Sequence, residues 1–242
     1  MSEARDVKFA GNGTTLRAHF APASRGEAAP GLVLVPDVHG LSDLYREIGG
    51  RFAARGFTTL VIDLYSREGA PKLASPAEAM RFIATLPDER ILGDLQAAIE
   101  HLAAAVAARP VGITGFCMGG QYALLAACSL RGLAACVSFY GMLRYPEQNA
   151  LKPRSPLDAA RDLACPYLGI FGEDDPLIPM NDVSELRERL AVANKRFELR
   201  TYAGCGHAFL NHTRPDAFRP EAAAAAFEEA AAFFSRFLVP KK

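Results

Sequence analysis

One cysteine, one aspartate and one histidine stand where they could together cleave an acyl bond. The cysteine lies in Gly115-Phe116-Cys117-Met118-Gly119-Gly120, between a short β-like run, Val111–Thr114, and an Ala/Leu-rich helical segment, Gln121–Leu130. A Gly-x-Cys-x-Gly turn from strand to helix holds its central residue in a strained conformation, because side chains two positions before or after it would strike the neighbouring chain. The sulfur then stands above the sheet edge and the Met118 N–H can point at an oxyanion. The helix N-terminus favours a thiolate. The same glycines also suit a close-packed corner around a small buried cysteine, so the chemistry depends on partners.

Sites in open sheets of alternating strands and helices form at the carboxyl ends of the strands. Four polar clusters fall there: Asp37–His39, Cys117, Asp174–Asp175 and His207. The chain order of nucleophile, then acid, then base is that of the α/β-hydrolase triad. Asp175 is preferred to Asp174 as the acid, since it begins the turn into Pro176 while Asp174 can remain a solvated turn residue. It would orient His207 and stabilise its imidazolium. His207 follows a Gly-x-Gly turn and belongs to a loop; His212 lies too far along that loop to be the first choice. A metal shared by His39 and His207 lacks any HxxxH, CxxC or carboxylate–His spacing in support. Cys128, Cys136 and Cys165 read as core, and Cys205 is a thiol close to His207 without an elbow of its own.

The elements that must carry these residues alternate along the chain. Thr14–Phe20 reads as part of an edge hairpin after Gly11-Asn12-Gly13, and Ala21–Pro30 as a polar connection. Leu32–Val35, Thr58–Ile62, Ala134–Phe139, Tyr167–Phe171 and Arg196–Tyr202 read as strands, the first two as apolar runs buried on both faces. Helical periodicity marks Leu44–Arg55, Pro76–Leu86, Asp88–Ala108, Asn181–Ala193 and Pro220–Leu238. Gly141–Asp162, with Pro146, Pro153 and Pro156 among mixed charges, breaks the rhythm and is expected to be a lid-like loop bordering the pocket. The expected fold is α/β, a mainly parallel, doubly wound sheet with helices on both faces, forming one domain over 1–242.

Composition narrows the classes. Half of the 242 residues are hydrophobic, and 27 Lys plus Arg balance 27 Asp plus Glu, so no overall field favours nucleic acid or an anionic membrane. Gly11-x-Gly13 lacks the third glycine and the following helix of a dinucleotide site, and no cofactor is expected. Met1–Asp6 lacks the apolar core of a signal peptide. Five cysteines without a CxxC do not form a disulfide framework, which fits a reducing, cytoplasmic setting.

The chain resembles the dienelactone hydrolase (carboxymethylenebutenolidase) family of α/β-hydrolases. The matching stretches are Gly115–Gly120, Asp63-Leu64-Tyr65-Ser66-Arg67, Gly93–Ile99, Phe139-Tyr140-Gly141, Gly172–Asp175 and Gly204–Phe209. The resemblance implies an α/β-hydrolase fold and a Cys117–His207–Asp175 triad acting on small esters or enol-lactones through a thioester. It further implies a second oxyanion N–H at Val38 and a thiol-tuning carboxylate at Asp37, where the family usually has Gln-Glu-x-x-Gly and this chain has Pro36-Asp37-Val38-His39-Gly40. The family's substrate-carboxylate arginine after the catalytic histidine is replaced by Leu210-Asn211, leaving His39, Arg81 and Arg214 as candidate substrate contacts. The expected partner is a small-molecule substrate, with no nucleic acid or membrane, for a monomer or small homo-oligomer. A non-catalytic, redox-sensing protein with a reactive Cys117 is the alternative.

Overall fold

The computed structural model describes residues 3–24, 29–107 and 109–239. Met1 and Ser2, part of the connection expected over 21–30, the expected helix end at Ala108, and residues 240–242 lie outside it. The edge hairpin is complete: β1 (Arg5–Gly11) pairs antiparallel with β2 (Thr14–Ala21) around Asn12-Gly13. The φ values there, 45° and 73°, suit the primed turn that matches strand twist.

β3 (Gly31–Val35), β4 (Thr58–Asp63), β5 (Val111–Phe116) and β7 (Tyr167–Gly172) are buried at every residue, as continuous apolar runs in a covered parallel sheet should be. With β6 (Leu133–Phe139) and β8 (Phe197–Tyr202) they complete an eight-stranded sheet of order β1-β2-β4-β3-β5-β6-β7-β8. Among the described residues, only the β1–β2 and β2–β4 pairings are antiparallel. α1 (Asp43–Ala54) and α7 (Pro220–Leu238) pack together on one face, where the Phe52 ring sits 4.6 Å from that of Phe227. α3 (Asp88–Ala105) and α4 (Met118–Ser129) pack together on the other. Every residue from Met118 to Ala127 is buried, which explains why that helix has almost no polar face.

α2 (Pro76–Thr85) is different: only Ile83 is buried. Local signals hold it. Pro76 occupies the first turn, the Ser75 hydroxyl accepts from the Glu78 N–H at 3.2 Å, and the Glu78 carboxylate accepts from the Ala74 N–H at 2.8 Å.

Gly141–Asp162 is fastened to the body. It contains α5 (Pro156–Ala159) and a single 3-10 turn at Ala160–Asp162, with α6 (Met180–Val192) beyond β7. Lys152, 2% exposed, donates to Asp88 Oδ1 at 2.8 Å and to the Tyr122 hydroxyl at 2.6 Å. Tyr145 donates to Asp88 Oδ2 at 2.9 Å. Among the described residues, no helix is long and apolar enough to cross a membrane.

Candidate active site

Cys117 sits between β5 and α4 with φ 55° and ψ −120°, a conformation that costs a non-glycine residue strain. Its N–H is held by the Phe139 carbonyl at 3.0 Å, and its own carbonyl accepts from Gln121 at 3.1 Å. The glycines on either side permit the turn. A Cβ on Gly115 would lie 2.0 Å from the Gly119 carbonyl oxygen, and one on Gly119 would lie 2.1 Å from that of Val35. Strain gathers here: Tyr140 and Ala208, which flank His207 in space and in sequence, also have positive φ, 39° and 62°.

Asp175 follows β7 and is 4% exposed. Its Oδ2 accepts from His207 Nδ1 at 2.8 Å, while Oδ1 accepts from the Leu177 N–H at 2.9 Å, so both oxygens are fixed. The two loops interlock, because Asp174 N–H donates to the Cys205 carbonyl at 3.0 Å and a Cβ on Gly172 would meet that same oxygen at 2.2 Å. Asp174 itself is exposed. His207 Nε2 is buried and has no hydrogen-bond partner among the described residues. Burial alone would lower this imidazole, but the Asp175 carboxylate and the Cys117 sulfur outweigh it and push His207 up to about 10. Both facts fit a sulfur close to the ring yet outside hydrogen-bond geometry at rest.

The turn after β3 presents the remaining polar groups. Asp37 Oδ1 accepts from the His39 N–H at 2.9 Å and its carbonyl accepts from Gly40 at 3.0 Å. Val38 and Met118 N–H have no partner among the described hydrogen bonds. Burial first, and the Asp37 charge second, push Tyr45, Tyr65 and Tyr140 well up, keeping all three as neutral phenols around the cysteine.

Asp37, Val38, His39, Cys117 and His207 open onto one cavity of about 290 Å³. Its walls are apolar: Leu73, Pro76, Ala79, Met80 and Ile83 on and before α2, with Leu177 opposite. No residue of 141–162 lines it, so the cover expected from that segment comes from α2 instead. Arg214 lines the cavity and pairs with Asp216 at 3.0 Å on the exposed side. Arg81 sits on the exposed side of α2 and is not among the lining residues. Arg144 is paired with Asp182 and Glu185, and His212 lies 3.5 Å from Glu47. Cys205, Cys128, Cys136 and Cys165 are all pushed up by burial and stand outside the cavity. Among the described residues, no cluster of three or more His, Cys, Asp or Glu could hold a metal ion. The three tyrosines and the α2 wall carried no spacing signal of their own.

The dienelactone hydrolase family profile matches residues 17–238. The chain belongs to the dienelactone hydrolase family. It is 35% identical over 238 residues to a Bradyrhizobium protein named as a probable 2-oxo-3-(5-oxofuran-2-ylidene)propanoate lactonase, covering 98% of this chain and 95% of the relative. It is 27% identical over 208 residues to the carboxymethylenebutenolidase of Rhodococcus opacus, covering 86% and 81% of the two chains. The crystal structure of a candidate dienelactone hydrolase from Klebsiella pneumoniae superimposes with a TM-score of 0.89 at 28% identity, covering 98% of this chain and all of the other. As a dienelactone hydrolase family member with this α/β-hydrolase fold, the protein is an enzyme, a hydrolase of carboxylic esters or lactones.

Proposed function

We propose that Cys117 is the nucleophile, His207 the acid–base and Asp175 its orienting carboxylate, in an enzyme that opens small enol-lactones through a thioester. The observation that carries this reading is the Asp175–His207 pair at 2.8 Å in a cavity shared with a strained Cys117, with His207 Nε2 left without a partner. The Cys117 thiolate bonds to the lactone carbonyl carbon while the carbonyl π pair moves onto oxygen, where the Val38 and Met118 N–H groups receive it. Such a donor contributes about 3 kcal/mol to the transition state. Collapse breaks the ring C–O bond, and the enolate departs with that pair, taking the His207 proton or, where it needs none, leaving that proton to pass to solvent, so that His207 ends acylation as a neutral imidazole.

Acylation also changes His207. Two of the influences that raise it come from Cys117, and both vanish once the sulfur is an uncharged thioester. The imidazole then accepts a proton from water as the hydroxyl adds to the thioester carbon, and cleavage of the C–S bond restores the thiolate beside an imidazolium. The acid product releases its proton to solvent.

The substrate class follows from the cavity and the Bradyrhizobium relative. That relative's name describes a five-membered enol lactone with a 2-oxo acid arm. A narrow apolar cavity of about 290 Å³ with Arg214 and His39 lining it suits a flat lactone whose carboxylate faces those two residues. Asp37 tunes the thiol from within the same cavity. Five cysteines without a disulfide accord with a cytoplasmic setting. Iodoacetamide at one equivalent should abolish esterase activity with the label on Cys117. Retained activity in a fully Cys117-labelled protein sinks the nucleophile, and a single stoichiometric burst without turnover indicates a thiol sensor.

A further inference from the structure

The turn Pro36–Gly40 closes on itself through the two bonds that Asp37 accepts from His39 and Gly40. From elsewhere in the protein, the Tyr65 hydroxyl donates to the Val38 carbonyl at 2.8 Å, and Tyr45 is a hydrogen-bonding neighbour of the Asp37 carboxylate. The Tyr65 hydroxyl also lies 3.8 Å from Met118 Sδ. One phenol therefore touches both Val38, which lines the cavity, and the side chain of Met118, the two residues whose N–H groups have no described partner. Tyr65 is itself immobilised. It is wholly buried, and its N–H is bound to Asp63 Oδ1 at 3.0 Å. Its carbonyl accepts from Gly69 at 2.8 Å and from Arg17 at 3.3 Å. Its ring lies 5.6 Å from that of Phe82 and covers Gly40, where a Cβ would come within 2.8 Å of it.

We infer that Tyr65 is a positioning residue of the oxyanion site: its hydroxyl fixes the carbonyl of the Val38–His39 peptide, which shares the Val38 Cα with the Asp37–Val38 peptide that carries the Val38 N–H. The phenol and the Gly40 bond to the Asp37 carbonyl together hold the turn that aims this N–H. The inference rests on the proposed Cys117 mechanism. Without the hydroxyl, the Val38 carbonyl would be a buried acceptor without a donor, and the turn would rotate to satisfy it. The N–H would swing away from the position of the developing charge, where a small misplacement weakens transition-state binding and leaves ground-state binding alone.

Tyr65→Phe removes one oxygen and keeps the ring. Three rates or affinities are compared with wild type: kcat/KM on p-nitrophenyl acetate, Ki for a small alkyl trifluoromethyl ketone, and the rate of Cys117 alkylation by iodoacetamide. The ketone reads the oxyanion site directly, since the thiolate bonds to its carbonyl carbon, the π pair moves to oxygen and nothing leaves. Alkylation displaces iodide at a saturated carbon and develops no oxyanion. In folded Tyr65→Phe, kcat/KM should fall by about tenfold to a hundredfold, and the ketone Ki should rise by the same factor while alkylation is unchanged. An unchanged ketone Ki overturns the inference, and so does an alkylation rate that falls in step with turnover, since both losses would then be general. If wild type forms no covalent ketone adduct at Cys117, the nucleophile assignment fails first and takes this inference with it. Should Tyr65→Phe not fold, 3-fluorotyrosine at position 65 keeps ring and donor. Its ketone Ki should be no weaker than wild type, and a weaker one counts against the role.

Discussion

Two buried polar clusters lie on either side of the elbow helix, and they are built to opposite ends. Around Asp88, the Lys152 ammonium and the Tyr122 and Tyr145 hydroxyls all converge on one carboxylate, and Lys152 also lies over both tyrosine rings at about 5 Å. Around Cys117, by contrast, His207 Nε2 and the Val38 and Met118 N–H groups have no partner among the described hydrogen bonds, and Val38, Cys117 and His207 line a cavity. The first cluster spends its hydrogen-bonding capacity on holding segments together. The second withholds it for something that arrives. Burial lowers Lys152, Asp88 opposes it, and the pair is closed to solvent. His207 is held down by burial but raised to about 10 by the Asp175 carboxylate on one side of the ring and the Cys117 sulfur near it. A satisfied buried network specifies packing, while an incompletely satisfied one beside a cavity stores reactivity.

The sharpest way to break this comparison is to delete one member of each cluster. His207→Ala should cut kcat/KM by about three orders of magnitude or more, and it should also lower thermal stability near neutral pH, because it leaves the buried Asp175 carboxylate without its imidazolium partner. Steady-state kinetics per folded molecule with a melting curve on the same preparation checks it, and activity retained in the folded variant would make His207 a scaffold residue.

Next in size is the response of His207 to its neighbour's charge. Carbamidomethylation makes Cys117 uncharged, so the His207 pKa should fall from about 10 toward the ordinary imidazole value, followed by proton NMR of the ring. The raised value also sets a pH window. Its contribution to stability is full below the unfolded histidine pKa of about 6.5 and is lost as pH rises through about 10. A His207 pKa unmoved by alkylation would mean that the sulfur does not couple to the ring.

Lys152→Met tests the other cluster. It strands the Asp88 carboxylate with two phenols for company, and removing one partner of a buried pair costs about 3 kcal/mol or more. Denaturant midpoints should drop accordingly, while kcat/KM per folded molecule stays within about twofold. Loss of activity without loss of stability would tie Gly141–Asp162 to catalysis after all.

These contrasts also explain what could be seen in the sequence. The elbow was legible because backbone sterics demand small residues at Gly115 and Gly119, whatever the rest of the chain does. Asp175 and His207 were legible because a parallel sheet delivers strand ends to one edge in chain order. The lid expectation for Gly141–Asp162 came from prolines and charges that look solvated. Its anchor, Lys152 on Asp88, joins residues 64 apart in sequence, and no local pattern encodes such a pair. α2 was recognised as a helix, but its place in the cavity wall depends on how the chain returns from β4. Tyr65 and Tyr140 fall in stretches that carry the family resemblance, but the sequence assigns neither a role, since a phenol's function depends on what its hydroxyl reaches.

Smaller effects sharpen the reading of the cavity itself. Asp37→Asn keeps the oxygen that accepts the His39 N–H at 2.9 Å and removes the charge. A loss of about tenfold in kcat/KM with an unchanged melting curve is expected if the carboxylate assists the thiol. Unchanged turnover would confine Asp37 to closing its turn.

The smallest effect expected is also the most selective. Arg214 is about half exposed and already paired with Asp216, so its pull on a substrate is screened and shared. Its loss should therefore matter only to a ligand that brings a carboxylate to the cavity. Arg214→Gln is expected to raise KM several-fold for an enol-lactone bearing a carboxylate arm, to leave kcat nearly unchanged, and to leave p-nitrophenyl acetate kinetics untouched. The KM effect should shrink as ionic strength rises, since the pair is solvent-accessible. Equal losses on the charged lactone and the neutral ester would show that Arg214 shapes the loop after His207 instead of reading the substrate. No loss on either would leave the carboxylate to His39, the other cationisable side chain at the mouth, and His39→Gln would then carry the same salt-dependent KM effect.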